Sequence, residues 1–426
     1  MILDDIAKVV YAPRKAFKKI IEKPQYLGAI IILLLFIGVQ VGYEYAQFSK
    51  TYTEQTSPTV DMLPEYINAT LWRAGSNVAL NNNFNDYFNY SVYVAALGTT
   101  ATNAQGYYSL FGNSSLELDA VNTNNITAAL GDVFNVNCAN NGYRNLSMTI
   151  KLGQPQVAPQ SAALTLYSLN DSNYYKYDLT SSLSTAATLN LWNNLTIPVG
   201  PSAQGWNSGG APTWENITAI KLDFNYPSAS NITIRVGALF FRGLYLTPID
   251  YNNTGLLLQF LQVFSLQFIF SWFLITIVIY LFLRGLKTPV AWKPLFVAVA
   301  FALFVMVIRG LINLIAALAL PASYYPYDLS LGVRFDAYGA VFYPPEAVSA
   351  LTAMSQSAFN LIDSATATFR YVVEAMFIVS YIWLGALGTV VIGELKPELS
   401  MIKRIVIAAV SVGVTILLLL LLVGIA

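Results

Sequence analysis

Five long apolar segments, interrupted once by a polar block of about two hundred residues, constrain this chain more than any motif does. The apolar runs lie at about 26–47, 256–283, 295–320, 371–393 and 405–425. At 1.5 Å per helical residue each can cross a hydrocarbon layer of about 30 Å. With 55% hydrophobic and 11% charged residues, the chain falls among multi-pass membrane proteins.

Basic residues set the expected orientation. Lys8, Arg14, Lys15, Lys18, Lys19 and Lys23 precede the first run. Arg284, Lys287 and Lys293 follow the second, and Lys396, Lys403 and Arg404 follow the fourth. With five spans these segments share one side, and the Lys/Arg excess assigns it to the cytosol. The polar block, the 321–368 loop and the C-terminus then lie outside the plasma membrane. The block carries Asn-X-Ser/Thr at Asn68, Asn89, Asn113, Asn125, Asn145, Asn170, Asn194, Asn216, Asn231 and Asn252. N-glycosylation is a surface modification, so these acceptors predict the same side independently.

The leader, 1–25, repeats Ile6, Val9, Val10, Phe17, Ile20 and Ile21 near helical spacing, with Pro13 interrupting and Pro24 ending it. Two readings stay open: a helix lying in anionic headgroups, or a bare orientation signal. A retained anchor is expected, because no small-X-small site follows the first apolar run.

Composition excludes more than it assigns. Net charge +0 argues against a nucleic-acid partner. Histidine is absent, which removes the commonest general base and transition-metal ligand. The single cysteine, Cys138, leaves the block to fold by packing alone. No phosphate cradle, Gly-X-Ser-X-Gly or Cys-X-X-Cys is present. Glu117, Asp119, Glu215 and Asp223 could supply acids for glycoside hydrolysis, but their placement reads as solvation. We expect no enzyme, metal or cofactor. The Asn/Thr/Ser/Tyr-rich, charge-poor block suits an acidic or saline exterior, and an archaeal cell surface is the favoured source.

Within the block, 48–106 reads as a stem or extra lobe and 107–250 as a β-sandwich. Met148 and Ile150, Ile220, Leu222 and Phe224, and Ile232, Ile234 and Val236 alternate with polar neighbours, as half-buried antiparallel strands do. No internal repeat is visible, which favours two stacked sheets over a propeller. Tyr174, Tyr175 and Tyr177, with Trp206 and Trp214 beside a Gly-rich loop, are the candidate glycan platform. Aromatic faces attract the C–H bonds of pyranose rings; core or plain surface is the competing reading. The 321–368 loop holds Tyr324, Tyr325, Tyr327, Tyr338 and Tyr343, with Pro344-Pro345 opening a helix over 346–361.

Inside the spans, Arg309 and Glu374 fall in the outer half and are expected to pair, with Asn313 one turn from Arg309. Gln40, Glu44, Gln259, Gln262 and Gln267 sit toward the same leaflet. Interhelical glue and a polar path for a proton or solute are both open. No run is visibly broken at mid-depth, as secondary transporters are.

Two resemblances add to this. Tyr11-Ala-Pro-Arg-Lys-Ala-Phe-Lys-Lys-Ile-Ile-Glu-Lys-Pro24 running into a span resembles the start of prokaryotic Yip1-domain membrane proteins. Glu394-Leu-Lys-Pro-Glu-Leu-Ser400 is similar to that family's final cytosolic loop. The likeness covers about 1–47 and 256–426 and implies a scaffold or adaptor, with no reaction. The Asp-Leu-Tyr-Gly-Pro signature of eukaryotic members is missing, so partnership with small GTPases is not implied. Separately, Leu191-Trp-Asn-Asn-Leu-Thr-Ile-Pro198, Trp214-Glu-Asn-Ile-Thr-Ala-Ile-Lys-Leu222 and Ile232-Thr-Ile-Arg-Val-Gly-Ala-Leu-Phe-Phe-Arg-Gly243 resemble the last strands of galactose-binding-like jelly rolls. That superfamily includes carbohydrate-binding modules, and it implies a sandwich more firmly than it implies glycan binding. Gly237 and Ala238 stand where those modules often carry an Asp, so a structural calcium is not implied.

The expected fold is an α-helical membrane bundle of five transmembrane helices with an extracellular all-β jelly-roll sandwich inserted between the first and second. The expected function is a non-enzymatic, N-glycosylated surface protein. Its partners would be the lipid bilayer and envelope glycans, or surface-layer and membrane-complex proteins. An accessory or transport-associated subunit is the alternative.

Overall fold

The computed structural model describes residues 2–59, 62–88, 113–184, 189–327, 334–335, 341–342 and 353–423. Asn89, Tyr338, Tyr343, Pro344-Pro345 and the start of the 346–361 helix lie outside them. Two short helices, α1 (Ile2–Tyr11) and α2 (Pro13–Glu22), open the chain. The long helices are α3 (Tyr26–Phe48) and, after a one-turn α4 (Thr180–Leu183) in the β unit, α5 (Pro248–Gly285). Then come α6 (Trp292–Ala302), α7 (Phe304–Leu318), α8 (Ala353–Leu395) and α9 (Met401–Val423).

Taking α6 and α7 as one run, five helices are long and apolar enough to cross a membrane. That run is 78% buried over its most apolar window against 33–39% for the others, so it forms the bundle's centre. It is interrupted at Leu303 (φ −65°, ψ −8°), contrary to the unbroken run expected from sequence. Leu303 N–H still donates to the Val299 carbonyl at 3.0 Å, so helical bonding carries across the step.

The leader is docked on the bundle rather than lying apart from it. Ile6, Val9, Ala16, Phe17 and Ile20 are buried in the same apolar cluster as the long helices. Pro13 starts α2 at a position where its missing N–H costs nothing. Lys19 Nζ reaches Asp5 Oδ1 at 2.6 Å and ties α2 to α1.

The β unit follows α3. Its strands are β1 (Thr51–Ser57), β2 (Trp72–Ala74), β3 (Val78–Asn83), β4 (Ser115–Val136), β5 (Asn145–Gln154) and β6 (Ser161–Ser168). After them come β7 (Asn170–Asp178), β8 (Trp192–Pro198), β9 (Trp206–Gly209) and β10 (Ile217–Leu246), and β11 (Ser323–Tyr325) follows α7. Residues 51–83, expected as stem or lobe, thus contribute strands to the sheets.

Two long strands build the sandwich. β4 and β10 run antiparallel from Leu116↔Val236 to Val136↔Ile217, with register shifts between Asn225 and Ile232. Such irregularities bend a ladder. On one side of the bend the order is β2–β4–β10–β6–β7–β9, and on the other β3–β4–β10–β5–β8. Alternation sends Ile126, Leu130, Leu166, Leu222 and Phe224 from the first half, and Leu118, Leu146, Ile150 and Ile234 from the second, into one core. Each such side chain contributes about 1.5–3 kcal/mol by leaving water.

The sheets grow directly out of the helices. α3 ends at Phe48 and β1 starts at Thr51; α7 ends at Leu318 and β11 starts at Ser323. The two strands pair in parallel, Thr51↔Ser323 through Thr53↔Tyr325. β10 pairs with β1 on the way down (Thr53↔Leu246) and enters α5 through a capping box between Thr247 and Asp250.

Candidate functional site

The five aromatic candidates are neighbours, but they divide between two faces of the sheet. Tyr175 and Tyr177 point inward. Tyr175 stacks on Trp214 at 3.9 Å and 10°, and Trp206 stands edge-on to both Tyr175 and Trp214 at 6.5 and 5.4 Å. Tyr177 lies 5.1 Å from Trp206. Tyr175 Oη donates to the Pro212 carbonyl at 3.0 Å, and Trp206 Nε1 to the Pro198 carbonyl at 2.7 Å. Burial raises the Tyr175 phenol above its ordinary pKa. Trp214 is buried in the sandwich core, and half-buried Tyr175, Tyr177 and Trp206 pack against it.

Tyr174 alone faces outward, where the pairing register assembles a second surface. One row across the sheet reads Gly131–Ala219–Tyr167–Tyr174–Gly209. The next reads Arg73–Ala129–Lys221–Thr165–Lys176–Asn207, and the third Thr127–Asp223–Ala163–Asp178. Gly131 and Ala219 leave the first row low beside Tyr167, while Lys221 and Asp223 stand along β10 in the middle of the next two.

Aromatic and charged groups are therefore adjacent on this face. Tyr167 and Tyr174 meet edge to face at 6.3 Å. A Cβ at Gly209 would come within 2.3 Å of the Tyr174 ring, so glycine there lets the ring lie over the β9 backbone. Lys221 Nζ contacts Asp223 Oδ1 at 3.0 Å, and the Thr127 hydroxyl donates to the same carboxylate. Burial raises the Tyr167 phenol above its ordinary pKa. Chemically, the face offers ring surface, a carboxylate acceptor and ammonium donors beside the low Gly131–Ala219 pair.

Of the other candidate acids, Glu117 and Asp119 lie on β4. Arg235 Nε contacts Glu117 Oε2 at 2.5 Å and its Nη1 contacts Asp86 Oδ2 at 2.6 Å, which Lys151 also reaches at 2.8 Å. Asp119 accepts from the Thr233 hydroxyl at 2.6 Å. Glu215 is exposed.

Among the sequons, Asn68, Asn113, Asn125, Asn170, Asn194, Asn231 and Asn252 are exposed, while Asn145 and Asn216 are half-buried. Asn216 Oδ1 is shielded without a hydrogen-bond partner.

The expected Arg309–Glu374 pair is not formed. Arg309 and Asn313 are buried on α7, whereas Glu374 is exposed on α8. The inward face of α8 is instead Val373, Phe377, Ser380 and Leu384, one residue out of phase with Glu374. The Arg309 guanidinium lies over the rings of Phe377 and Tyr381, at 5.0 and 5.9 Å. Among the described residues, the buried carboxylate of the spans is Glu44 on α3, one turn beyond Gln40. Gln40 lies near Gly310, where an added Cβ would come within 2.8 Å of Val39.

No family model matches the chain, and no characterised protein matches its sequence. The Yip1-domain likeness of the helical part therefore remains a resemblance. Several solved structures are similar. The family 11 carbohydrate-binding module from Clostridium thermocellum, in complex with a β-1,3-1,4-mixed-linked tetrasaccharide, is 10% identical over 44% of this chain and 94% of its own, with a TM-score of 0.25. An agarase is 9% identical over 43% and 25%, with a TM-score of 0.27. The glycoside hydrolase domain of Endo-D from Streptococcus pneumoniae R6 is 13% identical over 40% and 21%, with a TM-score of 0.20. At those scores the likeness carries no argument about this chain. Strand register and a shared core define the class: a bundle with five helices able to span a membrane, bearing an antiparallel β-sandwich.

Proposed function

We propose that this chain is a non-enzymatic, multi-pass membrane protein that holds a carbohydrate-binding sandwich at the cell exterior. The carrying observation is the outward row of Tyr167 and Tyr174 beside the low Gly131–Ala219 pair. A sugar ring lies flat over that pair and takes C–H contacts from the tyrosines. Asp223, Lys221 and Lys176 lie where its hydroxyls need an acceptor and donors. Exposed sequons bear glycans on the same unit, and the basic loops stay cytosolic. The helical part acts as a scaffold of the Yip1 type.

Glycan-array binding by the full chain in nanodiscs tests the reading. Tyr174→Ala and Asp223→Asn should each weaken binding about tenfold. Trp206→Phe, on the inner face, should leave it unchanged. Binding indifferent to Tyr174→Ala and Tyr167→Ala would refute the face.

The buried polar seam of Gln40, Glu44, Arg309 and Asn313 favours a second reading, an accessory subunit of a larger membrane complex. Native purification that yields only this chain would count against it.

A further inference from the structure

We propose that the open groove between α8 and α9 holds one hydrocarbon chain of a phospholipid, drawn from the leaflet on the side of the basic loops. The inference rests on the helices spanning a membrane and is independent of carbohydrate binding. It starts from how the two helices touch. Ala408 packs against Gly388, where an added Cβ would come within 3.3 Å, and Arg404 packs against Gly393, where one would come within 2.7 Å. Beside this line of contact a groove stays open. Its volume is about 710 Å³, and its walls run from Tyr381 to Val390 on α8 and from Met401 to Ile416 on α9. That size lies within the range of ligand sites.

The lining suits hydrocarbon. Apart from Tyr381 and Thr389, every side chain along it is apolar or absent, as at Gly385 and Gly413. The Thr389 hydroxyl donates to the Gly385 carbonyl at 2.9 Å, so it asks nothing of an occupant. A Cβ at Gly385 or Gly413 would meet nothing within 4 Å. Both backbones are therefore bare to the groove, and small residues let an apolar neighbour approach closely.

Depth and charge select the occupant. The groove covers about 14 Å of α8 and about 22 Å of α9 at 1.5 Å per residue. That is the depth of one leaflet and its edge, where the whole hydrocarbon layer is about 30 Å thick. Its inner limit is the Tyr381 ring, which meets Phe377 edge-on at 4.8 Å, and past Ile416 the Leu419 side chain is buried. A helix crossing the bilayer needs a groove through both leaflets, whereas a lipid chain needs only one. Cations stand at the other end. Lys403 is exposed and enters no ion pair among the described residues, while half-buried Arg404 gives Nη2 to the Pro397 carbonyl at 2.6 Å. The acids nearby are Glu394 and Glu398, the second held by Lys396 at 3.7 Å. A lipid phosphate at the mouth thus meets the Lys403 ammonium.

Photo-crosslinking of the full chain in nanodiscs tests this. Phosphatidylglycerol probes carrying a diazirine near the glycerol or near the chain end are compared by peptide mass spectrometry. The first should label wild type around Met401 and Ile405, and the second around Tyr381 and Ile416. Both should exceed the labelling of Leu266 and Phe270, exposed on α5. Gly385→Leu and Gly413→Leu each start from a Cβ that meets nothing within 4 Å and replace a poor helix former. They should keep thermal stability while losing the groove label. Lys403→Ala should lower phosphatidylglycerol retention, read by native mass spectrometry, about fivefold. Groove labelling no stronger than that of α5, or unchanged in both filled variants with the fold intact, would overturn the proposal. So would disulfide-linked dimers from Ile405→Cys, which would put a second copy of the chain in the groove.

Discussion

Glu54 accepts two hydrogen bonds from Arg242, from Nε at 2.9 Å and Nη2 at 3.2 Å, with its carboxylate only 1% exposed. The same carboxylate takes the backbone N–H of Gly243 at 2.9 Å and of Tyr327 at 3.0 Å, and the guanidinium lies 4.7 Å over the Tyr327 ring. One buried acid thus joins β1, β10 and the segment after β11, each continuous with a different long helix. Charge-assisted bonds of this kind are strong and directional. The sandwich is therefore held on the bundle at three points.

Glu54→Ala leaves Arg242 without its buried partner and should cost about 3–5 kcal/mol. Thermal unfolding of the full chain measures the loss. Hydrogen exchange should rise first at Thr53–Gln55 and Leu244–Leu246, the pairs that flank the acid. Exchange unchanged there would mean the junction is held by other contacts.

Glu374→Leu should be nearly neutral, within about 0.5 kcal/mol, because the side chain is exposed and faces away from Arg309. Arg309→Leu strips a desolvated cation from two rings and should cost about 2 kcal/mol or more. Folded yield after membrane extraction separates them. Equal losses in the two variants would restore the pairing read from the sequence.

Asp119 supplies a pH dependence. Burial first, then the Glu117 charge, raises its pKa above the ordinary 3.8 despite the Thr233 hydrogen bond. With the folded value above the unfolded one, its contribution is fully present below about 3.8 and lost as pH rises through the folded value. Asp119→Asn should therefore stabilise slightly at neutral pH, by less than ~1 kcal/mol given partial exposure. It should also remove part of the acid-side slope in Tm. A destabilised variant with the slope intact would contradict this.

Cys138 is wholly buried, and burial pushes its thiol up to about 12. It should resist maleimide in the native protein and react at the rate of sandwich unfolding. Rapid labelling under native conditions would show that this end of the core is open.

Periodicity was enough for the coarse plan. Hydropathy marks the long helices, and alternation at Met148, Ile220 and Ile232 marks strands whose apolar residues are indeed buried. Phase and pairing were harder to read. The Arg309–Glu374 expectation failed by a single residue of helical phase, which outer-half depth alone does not resolve. The aromatic candidates divide by strand parity: Tyr174 and Tyr175 are adjacent and point to opposite faces. Tyr167 and Asp223 join Tyr174 only through β6 and β10 pairing, which no local pattern encodes. Glu54 gave no local signal, since its partners lie 188 and 273 residues away. The run of alternating polar residues around it marks a strand, and nothing marks the carboxylate as its anchor.

Sidedness tests the central claim most directly. Lys176 is exposed on the proposed sugar face and Lys18 on α2, and native Cys138 should stay silent. Cells expressing Lys176→Cys or Lys18→Cys are treated with a membrane-impermeant maleimide, before and after permeabilisation. An external sandwich on a membrane bundle predicts labelling of Lys176→Cys in intact cells and of Lys18→Cys only after permeabilisation. Protection of Lys176→Cys until the membrane is opened would contradict it.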